Sequence, residues 1–349
     1  MDKVLMKGNE AIAEAAIRAN CKHFFGYPIT PQSEISAYMA KKMPKIGGTF
    51  MQAESEVAAI NMVYGAAGAG VRVMTSSSSP GISLKAEGIS YIAGADLPCV
   101  IINIVRGGPG LGGIQPAQSD YFQATKGGGH GDYRLIVLAP SSIQEIVDCT
   151  TNAFDLADKY RMPVMILGDG MIGQMMEPIS FPDNVDTKEI EKPWATTGTQ
   201  MKRKKNVVNS LYIDPKELED LVVARYKKYD EIEKTEVKFE TENIDDADIV
   251  LVAYGTTARI ATAAMRMARA EGIKVGLIRP ITLWPFPKDI IAETAKKCKC
   301  MISVEMSMGQ MIEDIKIAAN GACPVEFYGR TGGMVPAPAE ILNKIKEVM

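Results

Sequence analysis

The sequence lacks the features of several classes of protein. Its 349 residues contain no run of about 18 apolar residues, the length that a membrane helix requires. The N-terminus has no apolar segment followed by a small-residue cleavage site. Lys and Arg number 39 against 42 Asp and Glu, so the net charge is −3 and no basic domain is present. We therefore expect a cytoplasmic protein that binds neither membrane nor nucleic acid.

Cysteine patterns for metals and clusters are also missing. The six cysteines are dispersed, and the closest pair is Cys298 and Cys300. Iron–sulfur and zinc sites need several cysteines at short spacings, so we expect free, mostly buried thiols and no metal or cluster on this chain. Of only two histidines, His130 lies in the stretch GGGHGDY. It is a candidate proton carrier or a structural loop residue.

What is present is an α/β pattern in two parts. Residues 1–182 alternate helix-like segments with continuously apolar strands, which is typical of a parallel sheet covered by helices on both faces. The first helix is predicted to have Asn9 as its N-cap. Residues 183–247 are densely charged and predict a linker that contains a helix. Residues 248–349 restart with a strand, a helix and a strand, and predict a second, smaller α/β domain.

Two loops that follow predicted strands carry candidate ligand groups. In GYPITPQSE, two prolines bracket Ile29 and Thr30, and hold Thr30 extended at the carboxyl edge of the sheet. Ligands bind at that edge in such folds, and a rigid turn is the alternative interpretation. The stretch SSSSPG, residues 76–81, offers hydroxyl and N–H groups near a helix start. It fits an anion site or a capping loop equally well.

A glycine-rich stretch, VRGGPGLGG, formally contains a dinucleotide fingerprint at Gly108, Gly110 and Gly113. No clear helix follows it, and no acid ends a second strand about 20 residues on. An NAD-dependent dehydrogenase is therefore the less favoured alternative. Arg106 stands at the end of the preceding apolar strand, where its planar guanidinium suits a carboxylate substrate. Pairing with a neighbouring acid is the equally open alternative.

Helical spacing separates the two acids of MQAESEVAAI. If a helix begins just before Glu56, one apolar stripe contains Glu56, Ala59, Ile60 and Val63. Glu54 lies off this stripe, where an acid favours the helix N-terminus. Glu56 is thus predicted to point into the protein, where an unpaired carboxylate is costly. It serves either a structural network or proton transfer.

These motifs, in this order, resemble the α subunit of 2-oxoacid:ferredoxin oxidoreductases. The resemblance covers nearly the whole chain and is carried by GNEAIAEAAIRANCKHFFGYPITPQSE, MQAESEVAAINMVYGAAGAG, TSSSSPGISLKAEG, HGDYRLIVLAPSS, IRPITLWPFP and VEMSMGQM. The sequence is most similar to the branch acting on 2-oxoisovalerate or 2-oxoglutarate. This implies oxidative decarboxylation of a 2-oxoacid to acyl-CoA and CO2, with reduction of ferredoxin. A non-catalytic scaffold subunit is the alternative from another class.

The resemblance also implies an architecture and partners. Residues 1–182 would form a pyrimidine-type thiamine diphosphate domain, and residues 248–349 resemble the transketolase C-terminal domain. Thiamine diphosphate would be shared with a β subunit that holds Mg²⁺, while γ and δ subunits supply the [4Fe–4S] clusters. In such enzymes a Gly-Asp-Gly begins the magnesium site and an asparagine completes it. Here the first asparagines after Gly168–Gly170 are Asn184, which comes too early, and then Asn206, so a strand-end turn is predicted.

Individual roles follow from the same resemblance. Glu56 would be the catalytic acid that hydrogen-bonds N1′ of the aminopyrimidine. Thr30 would contact the 2-oxoacid and Arg106 its carboxylate, with His130 as a further candidate in substrate binding. The implied cofactor contacts are Glu56, Tyr27, Pro28, Ile29 and Ser79. Gln32 stands where the family motif has serine, a departure that could alter a hydroxyl contact.

Overall fold

The computed structural model describes residues 3–182 and 190–349. Residues 183–189, which include Asn184 and the start of the predicted linker, lie outside the described residues. The helices are α1 (Gly8–Arg18), α2 (Ser33–Lys42), α3 (Glu56–Gly68), α4 (Pro80–Gly94), α5 (Tyr121–Thr125), α6 (Ile143–Tyr160), α7 (Gly170–Gln174), α8 (Pro215–Thr235), α9 (Gly255–Ala270), α10 (Lys288–Ala295), α11 (Met311–Ala319) and α12 (Pro338–Glu347). The strands are β1 (Val4–Lys7), β2 (His23–Gly26), β3 (Thr49–Gln52), β4 (Val73–Ser77), β5 (Cys99–Val105), β6 (Ile136–Leu138), β7 (Pro163–Asp169), β8 (Met176–Ile179), β9 (Phe239–Glu242), β10 (Ile249–Val252), β11 (Val275–Pro280), β12 (Thr282–Trp284), β13 (Cys300–Glu305) and β14 (Val325–Gly329).

The larger sheet has seven strands in the order β12-β6-β7-β5-β4-β2-β3. All its neighbouring pairs are parallel except β12 with β6. Every residue of β4 and β5 is buried, and β5 is accordingly apolar along most of its length, whereas β4 ends in the polar residues Thr75, Ser76 and Ser77. Helices α1, α2 and α6 form one packed group, and α3 and α4 form another. The apolar runs predicted as strands in this part of the chain are confirmed.

The smaller sheet has five strands in the order β14-β13-β10-β11-β9. The predicted strand–helix–strand unit is β10, α9 and β11, with β10 and β11 parallel. Two strands depart from the sequence-based picture. Strand β9 comes from residues predicted as linker and pairs antiparallel with β11, while β12 leaves the second part of the chain to join the larger sheet. The exact domain limits stay predictions.

The start of α1 corrects a prediction. The N-cap is Lys7, and Asn9 lies within the first turn, fully buried. Instead of capping the helix, its amide Nδ2 donates to the carbonyl of Pro31 at 2.7 Å and to Glu34 Oε2 at 2.8 Å. A local cap was predicted, but a buried amide needs partners wherever they lie. Asn9 therefore anchors the turn that follows Thr30.

The charged helix predicted from the sequence is α8, and its side chains contact the part of the chain that forms the larger sheet. Arg225 is buried on it and donates to both carboxylate oxygens of Asp96 at 3.0 to 3.2 Å. Tyr229 packs edge-on against Trp284 of β12, with ring centroids 5.7 Å apart. Bidentate pairing of this kind fixes orientation as well as position.

The two sheets are joined through the side chain of Gln118. Its Nε2 donates to the carbonyl of Tyr254 at 2.9 Å, and its Oε1 accepts from Met306 N at 3.0 Å and Thr257 Oγ1 at 3.1 Å. The Gln118 backbone N–H donates to the Met306 carbonyl at 2.8 Å. Gln118 precedes α5, whereas its three partners belong to the second part of the chain. This buried amide therefore holds the second part against the first.

The expectation of free, mostly buried thiols is confirmed. All six cysteines are free thiols, and four of them are buried, namely Cys21, Cys99, Cys298 and Cys300. No helix among the described residues combines the length and the apolar character that crossing a membrane requires.

Replacing Gln118 by alanine is expected to destabilise the chain by about 3 kcal/mol, because it leaves the buried Met306 N–H without its acceptor and removes the hydrogen bonds to Tyr254 and Thr257. Urea unfolding followed by circular dichroism measures this loss. Gln52→Ala, at an exposed position of β3, is the matched control and should change stability by less than about 0.5 kcal/mol. Equal effects of the two substitutions would contradict the role given to Gln118.

Candidate active site

The carboxyl ends of four neighbouring strands, β3, β2, β4 and β5, converge at one edge of the larger sheet. The chain leaves these strands into the segments that carry Glu56, Thr30, Ser79 and Arg106, respectively. In parallel sheets this edge is where ligands bind. The four principal residues singled out from the sequence therefore share one edge.

The turn that carries Thr30 is held from beneath by Gln32. Gln32 is fully buried; its Oε1 accepts from Ser76 Oγ at 2.5 Å, and its Nε2 donates to the Tyr27 carbonyl at 3.3 Å. The departure from the family motif at this position thus supplies a contact inside the protein. Thr30 itself is exposed.

Arg106 braces the turn from the neighbouring strand. It is 7% exposed; Nη1 donates to the Thr30 carbonyl at 3.0 Å and Nη2 to the Leu111 carbonyl at 3.2 Å. Its Nε is buried and has no hydrogen-bond partner among the described residues. No acid of the described chain forms a salt bridge with it, so the alternative of a structural Arg–acid pair is not the observed arrangement. A guanidinium without a counter-charge is suited to an anionic ligand.

Ser79 connects Arg106, through Asn103, to the half-buried acid Asp120. Its Oγ donates to the Arg106 carbonyl at 3.2 Å and accepts from the Arg106 N–H at 3.1 Å. The Ser79 N–H donates to Asn103 Oδ1, whose Nδ2 donates to Asp120 Oδ2 at 2.9 Å. Burial raises the pKa of Asp120 above its ordinary value, against the lowering effect of its hydrogen bonds to Asn103 and Ser79. Ser79 adopts φ 24°, ψ −84°, a strained conformation of the kind that clusters at functional sites.

Glu56 begins α3 and points inward, as its spacing predicts. Ser55 caps the helix by accepting from the Ala58 N–H at 3.1 Å. Glu56 is 6% exposed, while Glu54 is exposed. The Glu56 carboxylate forms no hydrogen bond with any described residue. A Cβ added at Gly81 would lie 2.9 Å from Glu56 Oε1 and 2.1 Å from Ser77 Oγ. Glycine therefore lets α4 approach the carboxylate.

The second part of the chain closes over the Arg106 side of the edge. A Cβ at Gly333 would lie 2.4 Å from Gln115 Cβ, so the loop after Arg106 packs directly on the turn at Gly332 and Gly333. A cavity of about 560 Å³ opens beside Thr30 between these segments. Its lining is mainly apolar and consists of Thr30, Pro31, Ile114, Gln115, Pro116, Gly170, Met171, Gln174, Met175, Gly333 and Val335.

His130 lies apart from this cluster. It is exposed, its carbonyl accepts from Ser90 Oγ at 2.6 Å, and its ring is edge-on to Tyr91 at 5.9 Å. These contacts, at Ser90 and Tyr91, are near the end of α4 opposite to Ser79, about 17 Å away at the rise of a helix. The chain does not bring His130 to the other candidates. Of the remaining predicted cofactor contacts, Tyr27 and Ile29 are half-buried and Pro28 is exposed at the turn.

Two motifs resemble a magnesium site and a dinucleotide-binding fingerprint, but in the structure each forms only a local turn or loop. Asp169 of the Gly-Asp-Gly is the N-cap of α7, and its Oδ1 accepts from the N–H groups of Met171 and Ile172 at 2.8 and 3.1 Å. The predicted strand-end turn is confirmed. The glycines from Gly108 to Gly113 form a loop whose next helix begins only at Tyr121. A dinucleotide fingerprint needs that helix directly after the glycines.

Sequence reasoning missed several ionisable groups that the fold shields from water, among them the half-buried Asp120 and the fully buried Lys85 and Glu305. Glu305 is fully buried and accepts from two serine hydroxyls and from the N–H groups of Gln310, Met311 and Ile312 at 2.8 to 3.0 Å. The only signal for this cap was an acid that shortly precedes the segment Met311–Ala319, which was not predicted as a helix. For Lys85, the signal was its position on the buried stripe of α4, four residues after Gly81.

The edge fits the aminopyrimidine side of thiamine diphosphate. Glu56 is a nearly buried acid without a protein partner, and Gly81 leaves space beside it. The Oγ atoms of Ser77 and Ser78 and the Nε of Arg106 are buried without partners among the described residues. Buried polar groups are normally satisfied, so these atoms indicate a polar ligand at this edge. No group of three or more metal-ligating side chains occurs among residues 3–182 and 190–349.

Comparisons with known proteins agree with this geometry. The family model described as pyruvate flavodoxin/ferredoxin oxidoreductase, thiamine diphosphate-binding, matches residues 14–244. The model for pyruvate:ferredoxin oxidoreductase core domain II matches residues 247–341. Both matches agree with the predicted fold class, an α/β chain with a thiamine diphosphate-binding domain and a smaller second domain.

Two curated relatives come from Methanothermobacter marburgensis. The ketoisovalerate oxidoreductase subunit VorB is 53% identical over 344 residues, which cover 99% of this chain and 97% of VorB. The 2-oxoglutarate synthase subunit KorA is 38% identical over 372 residues, covering 99% of this chain and 98% of KorA.

A solved structure is similar along the whole chain. The 2-oxoglutarate:ferredoxin oxidoreductase from Magnetococcus marinus, with 2-oxoglutarate, coenzyme A and succinyl-CoA bound, matches with a TM-score of 0.89 and 30% identity. The match covers 99% of this chain and 65% of that longer chain, and it confirms the predicted fold class. On the sequence motifs, the family models and these relatives, the chain belongs to the pyruvate flavodoxin/ferredoxin oxidoreductase family.

Proposed function

We propose that the chain is the α subunit of a thiamine-diphosphate-dependent 2-oxoacid:ferredoxin oxidoreductase that acts on 2-oxoisovalerate and related branched-chain 2-oxoacids. The reaction would convert the 2-oxoacid and coenzyme A to acyl-CoA and CO2, with ferredoxin as the electron acceptor. The observation that carries the proposal is the partnerless, nearly buried Glu56 carboxyl at the same sheet edge as Arg106 and Thr30. A cytoplasmic location stays part of the proposal.

Each residue of this edge has a chemical task in the proposal. Thiamine diphosphate, when bound, supplies the carbon nucleophile and the electron sink for decarboxylation. Glu56 would hold a proton at its carboxyl and share it with the ring nitrogen N1′, a general-acid role that suits a group protected from water. Arg106 would receive the substrate carboxylate through its charged guanidinium. Thr30 would direct its exposed hydroxyl towards the 2-oxo group.

The chain is proposed to be catalytically incomplete alone. Asp169 of the Gly-Asp-Gly is committed to capping α7, and the six free cysteines are dispersed in the sequence. A β subunit is therefore proposed to hold the diphosphate and Mg²⁺, and γ and δ subunits to carry the [4Fe–4S] clusters. The names of the relatives as subunits support an assembly of several chains.

The choice of 2-oxoisovalerate rests on two observations. VorB shares 53% of its residues with this chain, against 38% for KorA. The cavity beside Thr30 is lined by Ile114, Met171, Met175 and Val335 and by no cationic side chain. An aliphatic side chain gains from burial there, whereas the second carboxylate of 2-oxoglutarate would be desolvated without a partner. A 2-oxoglutarate enzyme is the alternative.

Glu56→Gln in the reconstituted complex is expected to lower kcat by about 10²-fold or more, because the amide cannot exchange a proton with N1′. Steady-state reduction of ferredoxin measures the loss, and size-exclusion chromatography should show unchanged assembly. Glu54→Gln, an exposed neighbour, is the matched control and should keep full activity. A Glu56→Gln complex with wild-type activity would refute the catalytic role and favour a scaffold.

For the substrate, kcat/KM with 2-oxoisovalerate is expected to exceed that with 2-oxoglutarate by about 10²-fold, the cost of burying an unpaired carboxylate. Met171→Lys places a cation in the cavity and should narrow this ratio by about tenfold or more. Met176→Lys, on exposed strand β8, is the control and should leave the ratio unchanged. A wild-type preference for 2-oxoglutarate would contradict the assignment.

A further inference from the structure

Lys85, on α4, is a fully buried lysine next to the proposed active site. Its Nζ donates to Thr75 Oγ1 at 2.6 Å and to the Ser76 carbonyl at 3.1 Å. It forms no salt bridge within the described chain, although buried lysines are normally paired with an acid. The proposed reaction, as derived above, does not use this side chain.

The surroundings of Nζ match an uncharged amine. A neutral amine has two N–H groups, and the two acceptors present, Thr75 Oγ1 and the Ser76 carbonyl, satisfy both. An ammonium would have a third donor without a partner, in a site from which water is excluded. Burial lowers the pKa of Lys85 to about 7, against the opposing effect of the Glu56 charge and a smaller one of Cys99.

Lys85 lies between the two points where α4 approaches α3 most closely. A Cβ at Gly81 would meet Glu56 Oε1 at 2.9 Å, and a Cβ at Gly88 would meet Ile60 Cγ2 at 2.5 Å. Lys85 is four residues from Gly81 and three from Gly88, so all three share one face of α4. Its Nζ is thereby held near Glu56 without contacting it.

The titratable groups that act on Lys85 come from two neighbouring elements. Glu56 belongs to α3, and Cys99 begins β5. Burial raises the pKa of the Cys99 thiol to about 12, so this group stays neutral across the working range. The β4 segment beneath Lys85 contributes only hydroxyl and carbonyl groups. Glu56 is therefore the ionisable group to which the charge of Lys85 matters.

We propose that Lys85 is a positioning residue for Glu56 and that it acts in its uncharged form. As an amine it holds the Thr75–Ser76 segment of β4 in place and puts no positive charge next to the Glu56 carboxyl. As an ammonium it would favour the ionised carboxylate, because a nearby opposite charge stabilises the charged form. This inference rests on the proposed role of Glu56.

The proposal has a consequence for pH dependence. Lowering the pH through about 7 charges Lys85 in the folded protein, and the ammonium then acts directly on the Glu56 carboxyl. The activity of the complex should therefore fall as the pH is lowered below about 7. Titratable groups of the partner subunits can add to this fall. A substitution that removes the amine but preserves the packing should therefore remove the part of the activity loss at low pH that Lys85 causes.

The test compares Lys85→Met with Lys85→Arg in the reconstituted complex. Methionine has a similar length and no charge, whereas the arginine guanidinium is charged at every working pH. We expect the acid fall of kcat/KM in Lys85→Met to begin at least one pH unit lower than in the wild type. Lys85→Arg should lose about 10²-fold in kcat at pH 8. Lys45→Met, at an exposed position, is the control.

A second readout needs no cofactor or activity. Unfolded Lys85 keeps its proton up to about pH 10.5 and folded Lys85 only up to about 7. Between these values the unfolded state binds one more proton, so the stability of the wild type relative to Lys85→Met should rise with pH. The ratio of the two unfolding equilibrium constants should change by up to tenfold per pH unit, measured by urea unfolding of the full chain.

The outcomes separate this inference from the proposed function. Two results would show that Lys85 is only a packing residue and would refute the inference. One is that Lys85→Met and Lys85→Arg lower the activity by the same factor at every pH. The other is that the difference in unfolding free energy between the wild type and Lys85→Met does not change between pH 7 and 9. If Glu56→Gln abolishes activity in the same preparations, the proposed function still stands. In a Glu56→Gln background the rise in stability should begin at a lower pH, since Glu56 raises the Lys85 pKa; an unchanged onset would overturn the coupling.

Discussion

The arrangement of residues at the ligand-binding edge of the larger sheet depends on one carboxyl group, that of Glu56, which is nearly buried and has no hydrogen-bond partner among the described residues. Glu56 would be costly at 6% exposure unless something at the edge compensates it. The neighbouring helix is built accordingly. Gly81 lets α4 reach the carboxyl and Gly88 lets it reach Ile60, while the only lysine between these glycines is held by two acceptors in β4. The packing of α4 on α3 therefore also determines the electrostatic environment of Glu56.

A second constraint joins this edge to the rest of the chain. Gln118 satisfies backbone groups at Tyr254 and Met306, and the turn at Gly333 packs against Gln115. The loop between Arg106 and Gln118 is thus held at both ends, one by the larger sheet and one by the second part of the chain. The cavity beside Thr30 exists only because these parts are docked, so its shape depends on interdomain packing as much as on its lining residues.

The sequence predicted those site residues that have a local signature. Helical spacing separated Glu56 from Glu54, and the position of Arg106 and Ser79 directly after strands placed them at a sheet edge. Local reasoning failed where a residue had partners far along the chain. Asn9 looked like a cap, yet it bonds to the Thr30–Pro31 turn and Glu34.

Strand β9 was missed for a related reason. Two of its four residues, FETE, are acidic and the strand is largely exposed at the edge of a sheet, so only pairing with β11 makes them a strand. The sequence analysis did not single out Asp120 and Lys85, because a charged side chain in a short stretch gives no measure of its desolvation. Burial is a property of everything that surrounds the residue.

The sequence by itself determined the α/β class, the family, and the strand ends at which ligand groups would gather, because these depend on periodicities and motifs that the chain carries locally. Only the tertiary structure decided that His130 lies away from the cluster, that no acid among the described residues pairs with Arg106, and that Lys85 is buried behind Glu56 with two neutral acceptors. Distances, counter-charges and access to water arise when segments far apart in the chain pack together, and no local pattern contains them.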